Sequence, residues 1–202
     1  MFREGLMTVI CGPSGVGKGT VLQRLKENNP NIRFSVSATT RKPREGEIDG
    51  QNYFFKTVDD FKGMIEKGEL VEWVEYCGNY YGTPEKYIKD SMAQGYDVIL
   101  EIEVEGAASI KRKYPESVLI FILPPSFNEL HRRIEGRGTE SRETIGKRLA
   151  RAKEELNYIN NYDYAVINDE IEKAADKVNK ILVAEKLKVK RNTEILKKIG
   201  LE

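Results

Sequence analysis

The segment Gly12-Pro13-Ser14-Gly15-Val16-Gly17-Lys18-Gly19-Thr20 has the spacing and composition of a loop that cradles phosphate. Glycines let successive backbone N–H groups turn inward as an anion nest. A helix that follows adds its positive dipole end, and Lys18 places a point charge on the β/γ-phosphates of a nucleotide. The flanks fit: Met7 to Cys11 reads as a buried strand, and Lys18 to Asn28 as a helix with Val21, Leu22 and Leu25 on one face. The plain alternative is a glycine-rich turn that only joins strand to helix, and the flanks and the lysine weigh against it. Gly19 stands where the pattern has a Ser or Thr that helps hold Mg²⁺. Either Thr20 contributes instead, or the metal is held mostly by nucleotide phosphates and water.

A triphosphate loop leaves the acceptor undefined, and the chemistry for one lies between Ser35 and Thr83. Arg41 and Arg44 bracket a proline that stiffens their loop, and Tyr53 and Tyr81 offer hydroxyl donors without added charge. Two arginines and two tyrosines can clamp one phosphate dianion; a solvated basic loop with core tyrosines is the competing reading. In the alternating run Val71 to Tyr76, Glu72 shares a face with Val74 and Tyr76. A carboxylate there can accept from the ring N–H and amino group of guanine, a donor pair that adenine does not present, or it is simply an edge-strand surface acid.

These residues need a scaffold, and apolar runs alternating with helical patterns supply it. Asp97 to Ile102 and Ser117 to Leu123 are continuously apolar, as strands covered on both faces are, with a helical stretch from Gly106 to Lys113 between them. Tyr164 to Ile167 adds a short strand, and Asp169 to Lys198 reads as a long C-terminal helical pattern. Two segments interrupt the rhythm. Ser35 to Ala93 reads as a small mixed α/β lobe with a capping box at Thr57-x-x-Asp60. Ser126 to Lys147 reads as two helices broken at Gly136-Arg137-Gly138, a candidate lid hinge. The expected fold is therefore α/β: a P-loop core with a parallel sheet flanked by helices (1–34, 94–125 and 148–202), a mixed acceptor lobe (35–93) and a helical lid (126–147).

Composition narrows the function classes. The chain of 202 residues balances 33 Lys+Arg against 32 Asp+Glu, a net charge of +1, so no global field draws it to nucleic acid or an anionic membrane. The longest strongly apolar run, Val118 to Leu123, stops at Pro124-Pro125, far short of a membrane span. Met1 to Ile10 has no signal-peptide pattern, and Cys11 and Cys77 form no metal or redox spacing. A cytoplasmic protein without nucleic-acid or membrane partners is expected. Both cysteines are expected to pack. His131, Arg132, Arg133, Arg142 and Arg151 read as exposed helix residues.

Taken in order, Gly12-Pro-Ser-Gly-Val-Gly-Lys18, Ser37-Ala-Thr-Thr-Arg41-x-Pro-Arg44, Gly50-x-x-Tyr53, Gly78-Asn-Tyr-Tyr81-Gly-Thr83, Leu100-Glu-Ile-Glu-Val-Glu-Gly106, Gly136-Arg-Gly138, Arg148-Leu and Val166-Ile-Asn168-Asp169 span most of residues 8 to 170. The chain resembles the guanylate kinases of the nucleoside monophosphate kinase group. The resemblance implies Mg²⁺- and ATP-dependent phosphorylation of GMP, with dGMP as a further substrate, to the diphosphate. It implies that Ser37, Glu72, Thr83 and Glu103 read guanine, that Arg41, Arg44, Tyr53 and Tyr81 hold the GMP phosphate, and that Glu101 lies near the metal and that phosphate. Glu103 stands where this family has Asp. Lys18, Arg137 and Arg148 would act on the transferring phosphoryl group, and Asn168 would sit beside the ATP adenine. Two other readings share these motifs in part. A ribose-bisphosphate kinase relative has no use for Glu72 or the tyrosine pair, and a catalytically inactive binding module of the same fold has no use for an intact Lys18 loop.

Overall fold

The computed structural model describes residues 4–136, 141–192 and 199–200. Two compact units divide the chain: Met1–Cys11 with Asn31–Leu119, and Gly12–Pro30 with Ile120–Glu202.

In the first unit, β1 (Met7–Cys11) is buried along its whole length and lies parallel to β7 (Asp97–Glu101), with Met7 opposite Val98 and Ile10 opposite Glu101. On the other side of β7 lies β2 (Ile32–Phe34), also parallel, with Ile32 opposite Asp97. Strands covered on both faces have no reason to alternate, which is why β1 and β7 read as unbroken apolar runs. The buried Asp97 carboxylate accepts from Leu6 N–H at 2.9 Å and so satisfies the amide just before β1. Helices α3 (Glu85–Ala93) and α4 (Val104–Lys113) bury Ile88 and Ile110 against this layer.

The same unit carries a second, four-stranded sheet of order β4-β3-β6-β5, built from β3 (Ala38–Thr39), β4 (Phe54–Phe55), β5 (Leu70–Tyr76) and β6 (Asn79–Pro84). Helix α2 (Val58–Glu66) starts at the expected capping box, where Thr57 accepts from the Asp60 N–H at 3.1 Å. Phe61 of α2 is the centre of a small core with Ala38 and Leu70, stacked on Tyr80 at 5.5 Å between ring centroids. Cys11 is buried and donates to the Ile102 carbonyl, but Cys77 is exposed at the β5–β6 turn with a φ of 50°. The packing role expected of Cys77 is corrected accordingly: a two-residue hairpin needs left-handed backbone there, and no core lies beneath it.

In the second unit, α1 (Lys18–Asn28) packs on α7 (Ile171–Leu187), with Val21, Leu22 and Leu25 facing Ala174, Ala175, Val178 and Leu182 across a buried seam. Strands β8 (Val118–Leu123) and β9 (Tyr164–Ile167) run parallel, Ile120 opposite Tyr164 and Leu123 opposite Ile167. The expected lid segment is helical over Phe127–Glu135 and again from Arg142, and most of its expected break lies outside the described residues. Helix α5 (Phe127–Glu135) is capped by Ser126 and α6 (Arg142–Leu156) by Ser141, each hydroxyl accepting from an N–H three residues on.

The C-terminal helical pattern runs shorter than its periodicity suggests: α7 ends at Leu187, and the chain turns through Val189–Arg191. The cause is Glu185, only 2% exposed, whose carboxylate collects Lys188, Arg191 and the Tyr164 hydroxyl. Burial alone would raise its pKa, but these three donors outweigh burial and hold the carboxyl at about 2 instead of 4.5. A depressed folded pKa stabilises above the unfolded value and is lost as the pH falls through the folded one. We expect Glu185→Gln to lower unfolding free energy at pH 7 by on the order of 2–3 kcal/mol. In denaturant titrations the gap between the two proteins should close as pH falls from about 4.5 toward 2; a gap independent of pH would refute the assignment.

Candidate active site

The phosphate loop lies in the second unit. It turns at Pro13, whose carbonyl accepts from Val16 N–H at 3.1 Å, and passes into α1 through Gly17 at a φ of 87°. The first turn of α1 carries no acid, so its dipole end keeps its positive character for an anion. Lys18 is the first residue of α1 and half-buried, whereas Gly19 and Thr20 are exposed. Gly15 also has a φ of 87°, and a Cβ there would lie 2.6 Å from Ile134 Cγ1, so α5 presses directly on the loop.

The outward side of this loop is held by Asn168 and Arg133, through contacts the sequence did not mark. The Val16 carbonyl accepts from Asn168 Nδ2 at 2.8 Å and from Arg133 Nη1 at 3.1 Å; Arg133 Nη2 then donates to the Asn168 carbonyl at 3.2 Å. Glu129, one turn earlier on α5, takes Arg133 Nε at 2.9 Å. Arg133 is thus a half-buried brace, which corrects its reading as an exposed charge. Arg132 and Arg142 are exposed as expected, and His131 is an exposed partner of Glu135.

Helix α6 reaches the same loop from another direction. Arg148 Nη2 donates to Ser14 Oγ at 2.9 Å, which sets this arginine beside the phosphate loop. Seven residues on, the 5%-exposed Glu155 accepts from Ser14 N–H at 3.2 Å and from Arg151 Nε at 3.0 Å. Arg137 lies outside the described residues. Gly17, Thr20, Arg24, Glu27, Asn168 and Ile171 border a cavity of about 740 Å³ that runs from the end of the loop along α1 and the start of α7. Asn168 is 97% withdrawn from solvent, being 3% exposed, and its side-chain amide is turned onto the loop carbonyl.

The acceptor residues lie in the first unit, where strand register sorts them. Glu72 is opposite Thr83 and Val74 opposite Tyr81, so all four share one face of the mixed sheet; Trp73 and Gly82 share the other, toward Phe61. The antiparallel pairing of β3 with β6, Ala38 to Gly82 and Thr39 to Tyr81, extended by one residue brings Ser37 across from Thr83. Glu72 is half-buried and accepts from Thr83 Oγ1 at 2.6 Å. Burial pushes its pKa up, and the Thr83 hydroxyl opposes that rise.

Beside them Tyr53 and Tyr81 meet edge to face at 6.1 Å, and the Arg41 guanidinium lies 5.4 Å over the Tyr53 ring. Arg41 is raised further above its ordinary pKa, first by its bond to Glu47 and also by Tyr81. Arg44 is exposed, with its backbone N–H bonded to Glu47. Glu101 ends β7 and Glu103 caps α4, both exposed. The structure therefore groups Ser37, Glu72, Thr83, Tyr81, Tyr53 and Arg41 on the mixed sheet and its adjoining loop, and places Arg44, Glu101 and Glu103 at exposed positions of the same unit.

No group of three metal-ligating side chains occurs among the described residues. Single oxygen donors, the Thr20 hydroxyl and the Glu101 carboxylate, suit Mg²⁺ that arrives coordinated by phosphates better than a metal held in an all-protein cage.

A helix that opens on a glycine-lysine phosphate loop, with an arginine of a second helix on that loop, defines a P-loop α/β protein of the phosphotransferase class. The guanylate kinase family model matches residues 5–185. The chain is 54% identical over 192 residues to the guanylate kinase of Halalkalibacterium halodurans, covering 95% of this chain and 94% of the relative. It is 50% identical over 200 residues to that of Caldanaerobacter subterraneus subsp. tengcongensis, covering 99% and 97%. The crystal structure of guanylate kinase from Anaplasma phagocytophilum superposes with a TM-score of 0.75 at 35% identity, covering 99% of this chain and 97% of that one. The chain belongs to the guanylate kinase family.

Because Arg133 serves two carbonyls with one planar fork, Arg133→Ala should lower stability by about 2–3 kcal/mol, the range for hydrogen bonds made by a charged group. Arg133→Lys should recover less than half of that, since an ammonium cannot reproduce the fork. Chemical denaturation measures both, and a midpoint unchanged in Arg133→Ala would refute the brace.

Proposed function

We propose that this protein transfers the γ-phosphoryl group of ATP to GMP, forming ADP and GDP, and that dGMP is accepted as well. The observation that carries this reading is the Glu72–Thr83 pair on the same sheet face as Tyr81, with Tyr53 and Arg41 adjoining it. That places a carboxylate able to accept two base donors within one small sheet of a cation and two phenols suited to a phosphate. Guanine presents such a donor pair and adenine does not. We assign Ser37, Glu72, Thr83 and Glu103 to the base, and Arg41, Arg44, Tyr53 and Tyr81 to the GMP phosphate. A ribose-bisphosphate kinase would leave the Glu72–Thr83 pair without a task, and an inactive binding module would have no need of Lys18.

The chemistry asks little of a general base. A phosphate monoester has its second pKa near roughly 6, so at neutral pH the acceptor is already largely the dianionic nucleophile. A GMP phosphate oxygen forms the new bond to Pγ as the bond from Pγ to the β,γ-bridging oxygen breaks, and the electron pair leaves with ADP. The amides of residues 12–20 and Lys18 hold the ATP phosphates. Arg148, released from Ser14, and Arg137 stabilise charge spread over the equatorial oxygens. Asn168 and the cavity it borders take the adenosine end. Mg²⁺ carried in on the phosphates would supply charge neutralisation, with the Thr20 hydroxyl and the Glu101 carboxylate as the candidate protein oxygens for it. We assign residues 1–34, 94–125 and 148–202 to a P-loop core, 35–93 to a GMP-binding lobe and 126–147 to a lid. Cys11 and Cys77 form no disulfide, which supports a cytoplasmic location, and no helix among the described residues is long and apolar enough to cross a membrane.

The test is ADP formation from ATP and Mg²⁺ with GMP, dGMP, AMP, CMP, UMP or a ribose bisphosphate as acceptor. Turnover should be confined to GMP and dGMP and fall to background in Lys18→Ala; equal turnover with AMP would sink the assignment. Glu72→Gln should lower kcat/KM for GMP by about 10- to 100-fold, as loss of a charged acceptor does, and narrow the GMP-to-AMP ratio by a similar factor.

A further inference from the structure

The basic loop between β3 and β4 contains an acid that serves two of its arginines. Glu47 Oε1 accepts from Arg41 Nη2 at 2.8 Å, and Glu47 Oε2 accepts from the Arg44 backbone N–H at 2.7 Å. The turn is closed by Glu47 N–H, which donates to the Arg44 carbonyl at 3.1 Å. Arg41 is fixed at two further points: Nη1 donates to the Lys42 carbonyl at 2.8 Å, and its guanidinium plane lies over Tyr53. The Arg41 and Glu47 side chains are only 16% and 18% exposed, so this pair is shielded from bulk solvent and salt far better than the other ion pairs of the same unit, such as Lys86 with Asp90.

A carboxylate beside an anion site is a cost in charge, because it repels the phosphate that Arg41 attracts. Its contribution has to lie in geometry. A free arginine samples many rotamers, whereas here one guanidinium edge is occupied by Glu47 and Lys42. Two of its five N–H donors are taken this way and Tyr81 also bears on the guanidinium, so the remaining donors face a ligand from a fixed direction. The arrangement is local and complete: both oxygens of Glu47 are used, and both partners belong to the loop that also carries Arg44.

We propose that Glu47 is a positioning residue that sets Arg41, and through the turn Arg44, in place for the phosphate dianion of GMP. This rests on the assignment of Arg41 to that phosphate. Glu47 touches no reacting atom; it trades attraction for a prearranged fork, so the affinity it adds is specific to the phosphate and passes through Arg41.

The experiment compares Glu47→Gln, Arg41→Ala and the double variant. Gln keeps an oxygen for the Arg44 N–H but sets an amide against the Arg41 guanidinium. Expected are a rise in KM for GMP of about five- to tenfold in Glu47→Gln, with a much smaller change in kcat, and at least a tenfold rise in Arg41→Ala. The inhibition constant of guanosine, which lacks the phosphate, should stay within about twofold of wild type in both. In the double variant, Glu47→Gln should add little to Arg41→Ala. If Arg41→Ala raises KM for GMP while Glu47→Gln leaves it unchanged or lowers it, positioning is overturned and the GMP assignment stands. An equal weakening of guanosine in Glu47→Gln makes Glu47 merely structural and overturns it too. If Arg41→Ala itself has no effect on GMP, the phosphate assignment fails and this inference falls with it.

Discussion

A loop that turns its amides inward to meet an anion must turn its carbonyls outward, and those carbonyls then need donors from the protein. Much of the second unit is arranged around that constraint. The Val16 carbonyl is satisfied by Asn168, just after β9, and by Arg133 of α5, so the loop, the corner after β9 and α5 are joined at one oxygen atom. Ile134 and Leu130 seal the same helix over Gly15, where any side chain would collide with Ile134. On α6, Ser14 is gripped at both ends, its hydroxyl by Arg148 and its amide by Glu155. A protein carboxylate on a phosphate-loop amide is the arrangement an incoming anion would otherwise make, which lets Glu155 hold the start of the loop in a turned shape.

In the first unit the governing constraint is the period of two along β5 and β6. The pairing of Glu72 with Thr83 puts a carboxylate, a hydroxyl and a tyrosine on one face and the Trp73, Phe61 and Tyr80 side chains on the other. A slip of one residue would bury Glu72 against Phe61 and expose Trp73 on the ligand face. The small core beneath the sheet therefore does more than hold α2 in place. By fixing which face is apolar, it fixes which side chains remain available to a base.

What could be read from the sequence were the signals carried by neighbours in the chain. The glycine-lysine loop, the cap at Thr57 and the buried face of α1 each rest on residues within about one or two helical turns of each other. The mixed lobe was legible because its aromatic strands alternate. Arg133 and Glu155 were not, because their partners are 117 and 141 residues away and are backbone atoms, which leave no trace in residue identity. Glu47 escaped for a different reason. It lies six residues from Arg41 in an irregular loop, a separation with no periodic meaning, and only the turn at Arg44 makes the two meet. The early end of α7 was equally hidden, since Lys188 and Arg191 continue a helical pattern while their charges answer to Glu185 behind them.

These pairings bear on how a chain with a net charge of only +1 can work on phosphates. Arg41 is held by Glu47, Arg133 by Glu129 and Arg151 by Glu155, so these three cations are each anchored by an acid on their own helix or loop. Unpaired, they would give a stronger field and faster encounter with anions. Encounter is not what phosphoryl transfer lacks. The reaction gains chiefly from holding donor and acceptor in line and from cations whose directions are set before charge spreads over the equatorial oxygens, and both gains are lost when a guanidinium wanders by about an ångström. Anchoring each arginine with a carboxylate gives up long-range attraction for short-range direction.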